Sequence, residues 1–323
     1  MRAPHWSKFR WSKFSAIAVL ALVAPLAAVP SASAATPAPA TSPAPSWGGW
    51  WHPAPYKYLL SLGDSLGFGY SDANVAAYSS SSSPDISIFK GYADELASDS
   101  ILAGSTGTTN FACPGETTTS MIDGGCPWLV GPLPAVVPAG ATLPLPLHNE
   151  HNVATPQLAA ATGFLADHQA ERGVITLSIG SNDALNMLTK APSCATDPTC
   201  AALKSMLKTV HNNLTTILSD LRHAAPKATI VVLTPYNPLA HMVPASNIAA
   251  VALDATIGLT ALLNGARVAD AFGPINVQHA TNFDCENLIY FCSSNPNSPF
   301  ATDIHPTEAG YGVIEKAFEK VLG

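Results

Sequence analysis

Val174-Ile175-Thr176-Leu177-Ser178-Ile179 runs directly into Gly180-Ser181-Asn182-Asp183. Its apolar residues do not alternate with charged ones, so neither face of such a strand is built to meet water. It stops at a glycine followed by small polar residues that suit a helix start. A strand buried on both faces and followed by a helix is the repeating unit of a parallel sheet covered by helices. Strand-like runs of the same kind recur at 58–62, 108–112, 229–234 and 267–272, five in all. Between them, helical periodicity appears at 91–97, 156–169, 201–223, 248–263 and 307–322. In the last segment Ala309, Val313, Ala317 and Val321 recur every fourth residue, and Ile314, Phe318 and Leu322 widen the stripe. The alternation predicts an α/β domain over residues 56–323, long enough for one well-filled core.

Sites in open parallel sheets form beyond the carboxyl ends of the strands. Four pieces of sequence gather there or near it. Gly63-Asp64-Ser65-Leu66 closes the first run and offers a hydroxyl at a strand-to-helix turn, where free N–H groups of the helix are at hand. Asn182 follows the third run, and its amide can face a developing negative oxygen, although an Asn-Asp pair here also suits a helix cap. Gly115, in Thr109-Asn110-Phe111-Ala112-Cys113-Pro114-Gly115, lets backbone approach a ligand, or simply turns the chain before a helix at Glu116. In Asp303-Ile304-His305-Pro306, Pro306 suits a first helical position, which places His305 at the cap, biased by the helix dipole towards its neutral form. Asp303 is the natural acceptor for the other ring N–H. A serine and a distant histidine are the minimum apparatus for acyl transfer.

Composition narrows the alternatives. Arg2, Lys8, Arg10 and Lys13 precede an apolar run over 14–29 and then Ala32-Ser33-Ala34, the layout of a secretory signal peptide over 1–34. Residues 35–55 form a Pro/Ala-rich linker. Near its end Trp47, Trp50 and Trp51 either contact carbohydrate or pack on the domain edge. Removing the four basic residues of 1–34 takes the formal charge from −7 to −11. A chain so acidic is a poor partner for nucleic acid. No later stretch reads as a membrane span, and the mature chain is expected to be soluble and monomeric. Cys113, Cys126, Cys194, Cys200, Cys285 and Cys292 form three sequence-local pairs; in a secreted chain an even count reads as disulfides, with 15 connectivities open to six cysteines.

Other features carry less. A serine run over 79–83 reads as a solvated loop. The proline-rich stretch 127–150, apolar and unsuited to helix or strand throughout, either walls a substrate groove or covers an edge. Gly63, Gly67 and Gly69 do not complete a dinucleotide-binding fingerprint, and His148-Asn149-Glu150-His151 lacks the spacing of a zinc-binding helix.

Together, Gly63-Asp64-Ser65-Leu66, Gly115, Gly180-Ser181-Asn182-Asp183 and Asp303-Ile304-His305-Pro306 resemble the blocks of the GDSL/SGNH hydrolase family, in that family's order. The resemblance implies a three-layer α/β/α sandwich, flavodoxin-like, with a central five-stranded parallel sheet. It also implies a hydrolase without metal or other cofactor, using Ser65 as nucleophile, His305 as base and Asp303 as its partner. Its oxyanion hole would comprise the Ser65 and Gly115 N–H groups and the Asn182 side chain. Three sequential disulfides look like the extracellular bacterial lipase and esterase branch. One departure stands out: the family usually places Asp three residues before the His, where this chain has Thr302, so either Asp303 or the Thr302 carbonyl orients the ring. The expected activity is hydrolysis of acyl-lipid or small carboxylic esters outside the cell. The alternatives are a polysaccharide O-acetylesterase and a surface-binding protein that kept the fold.

Overall fold

The computed structural model describes residues 55–99, 102, 105, 107–130, 145–149, 155–278, 287–292 and 303–323. The signal peptide, the tryptophan cluster, Thr302 and Cys285 lie outside the described residues, as does all of the linker but Pro55. In chain order the elements are β1 (Leu59–Gly63), α1 (Ser65–Phe68), α2 (Asp72–Ser80), α3 (Tyr92–Ala97), β2 (Thr108–Asn110), α4 (Thr118–Asp123), α5 (Pro127–Val130), α6 (Gln157–Ala166), β3 (Val174–Ser178), α7 (Ser181–Lys190), α8 (Ala201–Ala224), β4 (Thr229–Thr234), α9 (Asn247–Leu263), β5 (Arg267–Asp270) and α10 (Glu308–Leu322).

The five strands form one parallel sheet in the order β2-β1-β3-β4-β5. Helices cover both sides, giving the expected three layers. Alternate strand residues divide between the faces. Leu60, Leu62, Ile175, Leu177, Ile230 and Val232 pack with α6, α8 and α9, whereas Leu59, Val174, Val231, Leu233 and Ala269 pack with α3 and α10. Both sets are buried, which is why these strands carry no polar stripe. α8 fits the first face through Leu203, Met206, Val210, Leu214, Ile217, Leu218 and Leu221, a 3.6-residue stripe.

Several expectations need correction. The seam of α10 runs through Tyr311, Ile314, Ala317, Phe318 and Leu322, with Ala309 exposed and Val313 and Val321 half-buried. Ser79 and Ser80 end α2 rather than belonging to a loop; Ser71 caps that helix by accepting from Asn74 N at 3.1 Å. Residues 244–263 are long and apolar enough to cross a membrane by length and composition, with mean hydropathy 1.5, contrary to the reading that no later stretch qualifies. In the fold, α9 buries Leu253, Ile257 and Ala261 against β4 and α8, while Val251, Leu259 and Leu263 remain exposed. Its alanines and a preceding 3₁₀ turn supply the length that the strict apolar run lacks. Of 127–150, Pro127–Val130 makes one helical turn, and 145–149 carry no regular structure.

β1 connects towards β2 on one side, and β3 lies on its other side. Such a reversal leaves a crevice at the strands' carboxyl ends, and ligands of open α/β sheets bind there.

Candidate functional site

β1 ends at Gly63 with φ +117°, and a Cβ there would lie 1.9 Å from the Ser178 carbonyl of β3. Only glycine allows this close turn. Asp64 then caps α1: its Oδ1 accepts from Leu66 N at 3.0 Å and from Ser178 Oγ at 3.0 Å, and its own N–H donates to Ser178 O at 2.9 Å. Burial pushes the Asp64 carboxyl up to about 6. Ser65 follows as the first residue of α1, at the crevice.

His305 reaches Ser65 from the far end of the chain. Its Nε2 lies 2.9 Å from Ser65 Oγ, and its Nδ1 lies 2.6 Å from Asp303 Oδ1. Asp303 is 2 % exposed, and Asp72 N donates to its second oxygen at 2.8 Å. Asp303 thus faces the ring Nδ1, while Thr302, the other acceptor expected from the sequence, lies outside the described residues. The Tyr236 hydroxyl donates to Ile304 O at 2.6 Å, Tyr290 N donates to His305 O at 3.2 Å, and the Tyr70 ring lies 4.5 Å from the imidazole. These contacts fix the segment between Asp303 and His305.

His305 is not the helix cap. Pro306 forms a bridge with Ile289, and Thr307 caps α10, its Oγ1 accepting from Gly310 N at 3.2 Å. Threonine outranks histidine as an N-cap, so the helix starts two residues later than the proline suggests. Asp183 departs from expectation as well. It does not cap its own helix, whose cap is Gly180; both its oxygens accept from Thr118, N–H at 2.9 Å and Oγ at 2.7 Å, at the first turn of α4.

Gly115 sits at φ +84° in the loop between β2 and α4, and the Cys113–Cys126 disulfide anchors that loop. The helix expected at Glu116 begins at Thr118, after a cap at Thr117. Asn182 Nδ2 donates to the Glu116 carbonyl at 2.9 Å, which leaves its second amide hydrogen for the crevice. Ser65, Gly115, Asn182, Asp303 and His305 all line one cavity of about 730 Å³. Pro127 and Trp128, from the proline-rich stretch, line it too. A Cys194–Cys200 disulfide is also present, giving two of the sequence-local pairs; Cys285, of the third pair, lies outside the described residues. Among the described residues, Asp99, Glu315 and Glu319 have ligand atoms close enough to share a cation, but none of them lines the cavity.

Two side chains behind the site carried no signal that the sequence alone could reveal. Glu116 and Gln157 are buried and linked by a hydrogen bond of 3.1 Å, although they stand 41 positions apart. Only the fold brings them together.

Several solved structures are similar to this chain. A putative GDSL-like lipase from Parabacteroides merdae is 14% identical, with 83% of this chain and 96% of that chain covered at a TM-score of 0.51. Phospholipase A1 from Streptomyces albidoflavus NA297 is 19% identical, with 83% and 99% covered at a TM-score of 0.49. An extracellular lipase from Streptomyces rimosus is 20% identical, with 81% and 99% covered at a TM-score of 0.48. No curated protein matches the chain significantly in sequence. The model of the GDSL-like Lipase/Acylhydrolase family matches residues 61–313, from within β1 into α10 and across every residue of the cavity named above, and the chain therefore belongs to that family of ester hydrolases.

Proposed function

We propose that the chain is an extracellular carboxylic-ester hydrolase of the lipase or esterase type that works through a seryl ester on Ser65. The observation that carries this reading is the 2.9 Å contact between Ser65 Oγ and His305 Nε2. A serine hydroxyl is a weak nucleophile until a base takes its proton. Neutral His305 accepts that proton at Nε2 as Oγ attacks the ester carbonyl. Its Nδ1–H donates to Asp303, which holds the tautomer and stabilises the imidazolium that forms. The Asp72 N–H keeps the Asp303 carboxylate from turning away. The carbonyl oxygen, now negative, rests against the N–H groups of Ser65 and Gly115 and the free hydrogen of Asn182. His305 returns its proton to the leaving alkoxide, and water attacks the acyl-enzyme by the same route.

Substrate class follows from the walls. Leu185, Leu188, Met206, Leu239 and Leu253 line the same cavity as Ser65, an environment for an acyl chain rather than a sugar. Two disulfides among the described residues suit an oxidising, extracellular setting. A non-catalytic binder has no use for a serine, a histidine and a buried carboxylate in hydrogen-bonded series. The test compares turnover on p-nitrophenyl esters of rising chain length with release of acetate from acetylated xylan. Rates are expected to rise beyond the acetyl ester and to vanish in Ser65→Ala. Preference for the acetylated polymer overturns the acyl-chain reading in favour of the polysaccharide O-acetylesterase.

A further inference from the structure

The Glu116 side chain is fully buried one residue after Gly115, and no step above uses it. Its Oε1 is hydrogen-bonded to Ser120 Oγ, and its Oε2 accepts from Gln157 Nε2 at 3.1 Å. Gln157, on α6, spends both halves of its amide on Gly63: Nε2 donates to the carbonyl at 3.0 Å, and Oε1 accepts the N–H at 2.6 Å. Gly63 stands two residues before Ser65. The Glu116 main-chain carbonyl, in turn, accepts from Asn182. Ser120 Oγ also accepts from Thr117 N at 2.9 Å, which closes the loop that carries Gly115. One residue therefore joins all three pieces of the candidate oxyanion hole: the Ser65 turn, the Gly115 loop and the Asn182 amide.

We propose that the Glu116 carboxyl is a positioning residue for ester hydrolysis, holding those three donors in register without touching substrate. The inference rests on the seryl-ester reading. The titratable groups facing it are Asp64, at the nucleophile turn, and Asp183, on α7; α4 presents Ser120 to it, and α6 presents Gln157. Burial first, with those two carboxylates adding to it against the Ser120 and Gln157 hydrogen bonds, pushes the Glu116 carboxyl up to about 8. Below that pH it is a neutral acid, with one oxygen to accept from Gln157 and an O–H to donate to Ser120. Loss of the proton places a third negative charge beside the Asp64 and Asp183 carboxylates, and the register loosens. Asp64 titrates lower, at about 6, so its window is separate.

Glu116→Gln is the decisive variant, because an amide reproduces both the acceptor and the donor and cannot ionise. The experiment measures kcat on a p-nitrophenyl ester, corrected for spontaneous hydrolysis, and thermal melting, both from about pH 6 to about pH 10, for wild type, Glu116→Gln and Ser65→Ala. Near neutral pH the Gln variant is expected to keep kcat within about threefold of wild type, as an interaction-preserving change should. Above pH 8 wild-type kcat is expected to fall about tenfold or more, part of the 10²–10³-fold that a misplaced oxyanion donor costs, while the Gln variant does not fall. The melting readout has a definite sign. A folded-state pKa above the ordinary glutamate value means that the native state binds the extra proton, so wild type loses stability as pH rises towards about 8. The melting temperature of Glu116→Gln should therefore gain on wild type across that range. An alkaline fall shared by the Gln variant, or a melting difference independent of pH, overturns the proposal. Turnover that survives Ser65→Ala defeats the seryl-ester reading itself, a separate result that removes the positioning role with it.

Discussion

At the scale of single residues, the proposed mechanism depends on donors placed before charge develops. Asn182 is the clearest case, since the Glu116 carbonyl takes one amide hydrogen and so aims the other. Asn182→Ala should lower kcat by about 10²–10³-fold with little change in KM, because the bond strengthens only in the transition state. Steady-state kinetics on a soluble ester check this, and a change confined to KM would place Asn182 in ground-state binding instead. Ser65 and Asn182 were legible in sequence because each follows an apolar run, and His305 because it stands with Asp303 and Pro306 just before a helical one. Glu116 and Gln157 were not, since a buried carboxyl gains meaning only from neighbours that folding supplies. Asp72 was unreadable for another reason: it serves Asp303 through its main-chain N–H, which every residue but proline carries.

Elements with deep apolar stripes announced themselves, and short ones did not. β3, β4 and α8 differ from their expected bounds by at most a residue, because continuous burial and a 3.6-residue stripe leave little choice. α2 and α5 escaped notice, because four to nine residues cannot display a period, while α4 starts two residues later than expected, after its Thr117 cap. At α10, proline and threonine signals competed within two residues, and the threonine cap won. That cap gives a prediction at this scale. Thr307→Ala removes the bond from Gly310 N and should cost about 1 kcal/mol, or roughly 2–4 °C in Tm for a domain of this size. Calorimetry measures it, and an unchanged Tm would mean that the Pro306–Ile289 bridge alone starts the helix.

Across the whole molecule, the sheet order sets the site. With β1 and β3 adjacent and their connections diverging, the Ser65 turn and the Asn182 helix open onto one crevice, and α10 is preceded by the segment that delivers His305. Five parallel strands could be counted from sequence, but their order could not, because every strand reads as equally buried. The loop carrying Gly115 has little regular structure of its own, and the Cys113–Cys126 bond compensates by closing it. Replacing both cysteines with serine should cost about 3 kcal/mol by loop closure, or about 6–12 °C in Tm. It should also lower kcat more than KM, since Gly115 lies two residues beyond Cys113. Melting and kinetics under non-reducing conditions decide this, and a variant with wild-type kcat would show that the loop holds its shape unaided.

The most direct test of the account is covalent capture. A fluorophosphonate probe should add one phosphonyl group to the intact protein, located on Ser65 by peptide mapping, with labelling absent in Ser65→Ala and strongly slowed in His305→Ala. Labelling at another residue, or equal labelling of the Ser65→Ala protein, would contradict the claim that His305 activates Ser65 as the nucleophile.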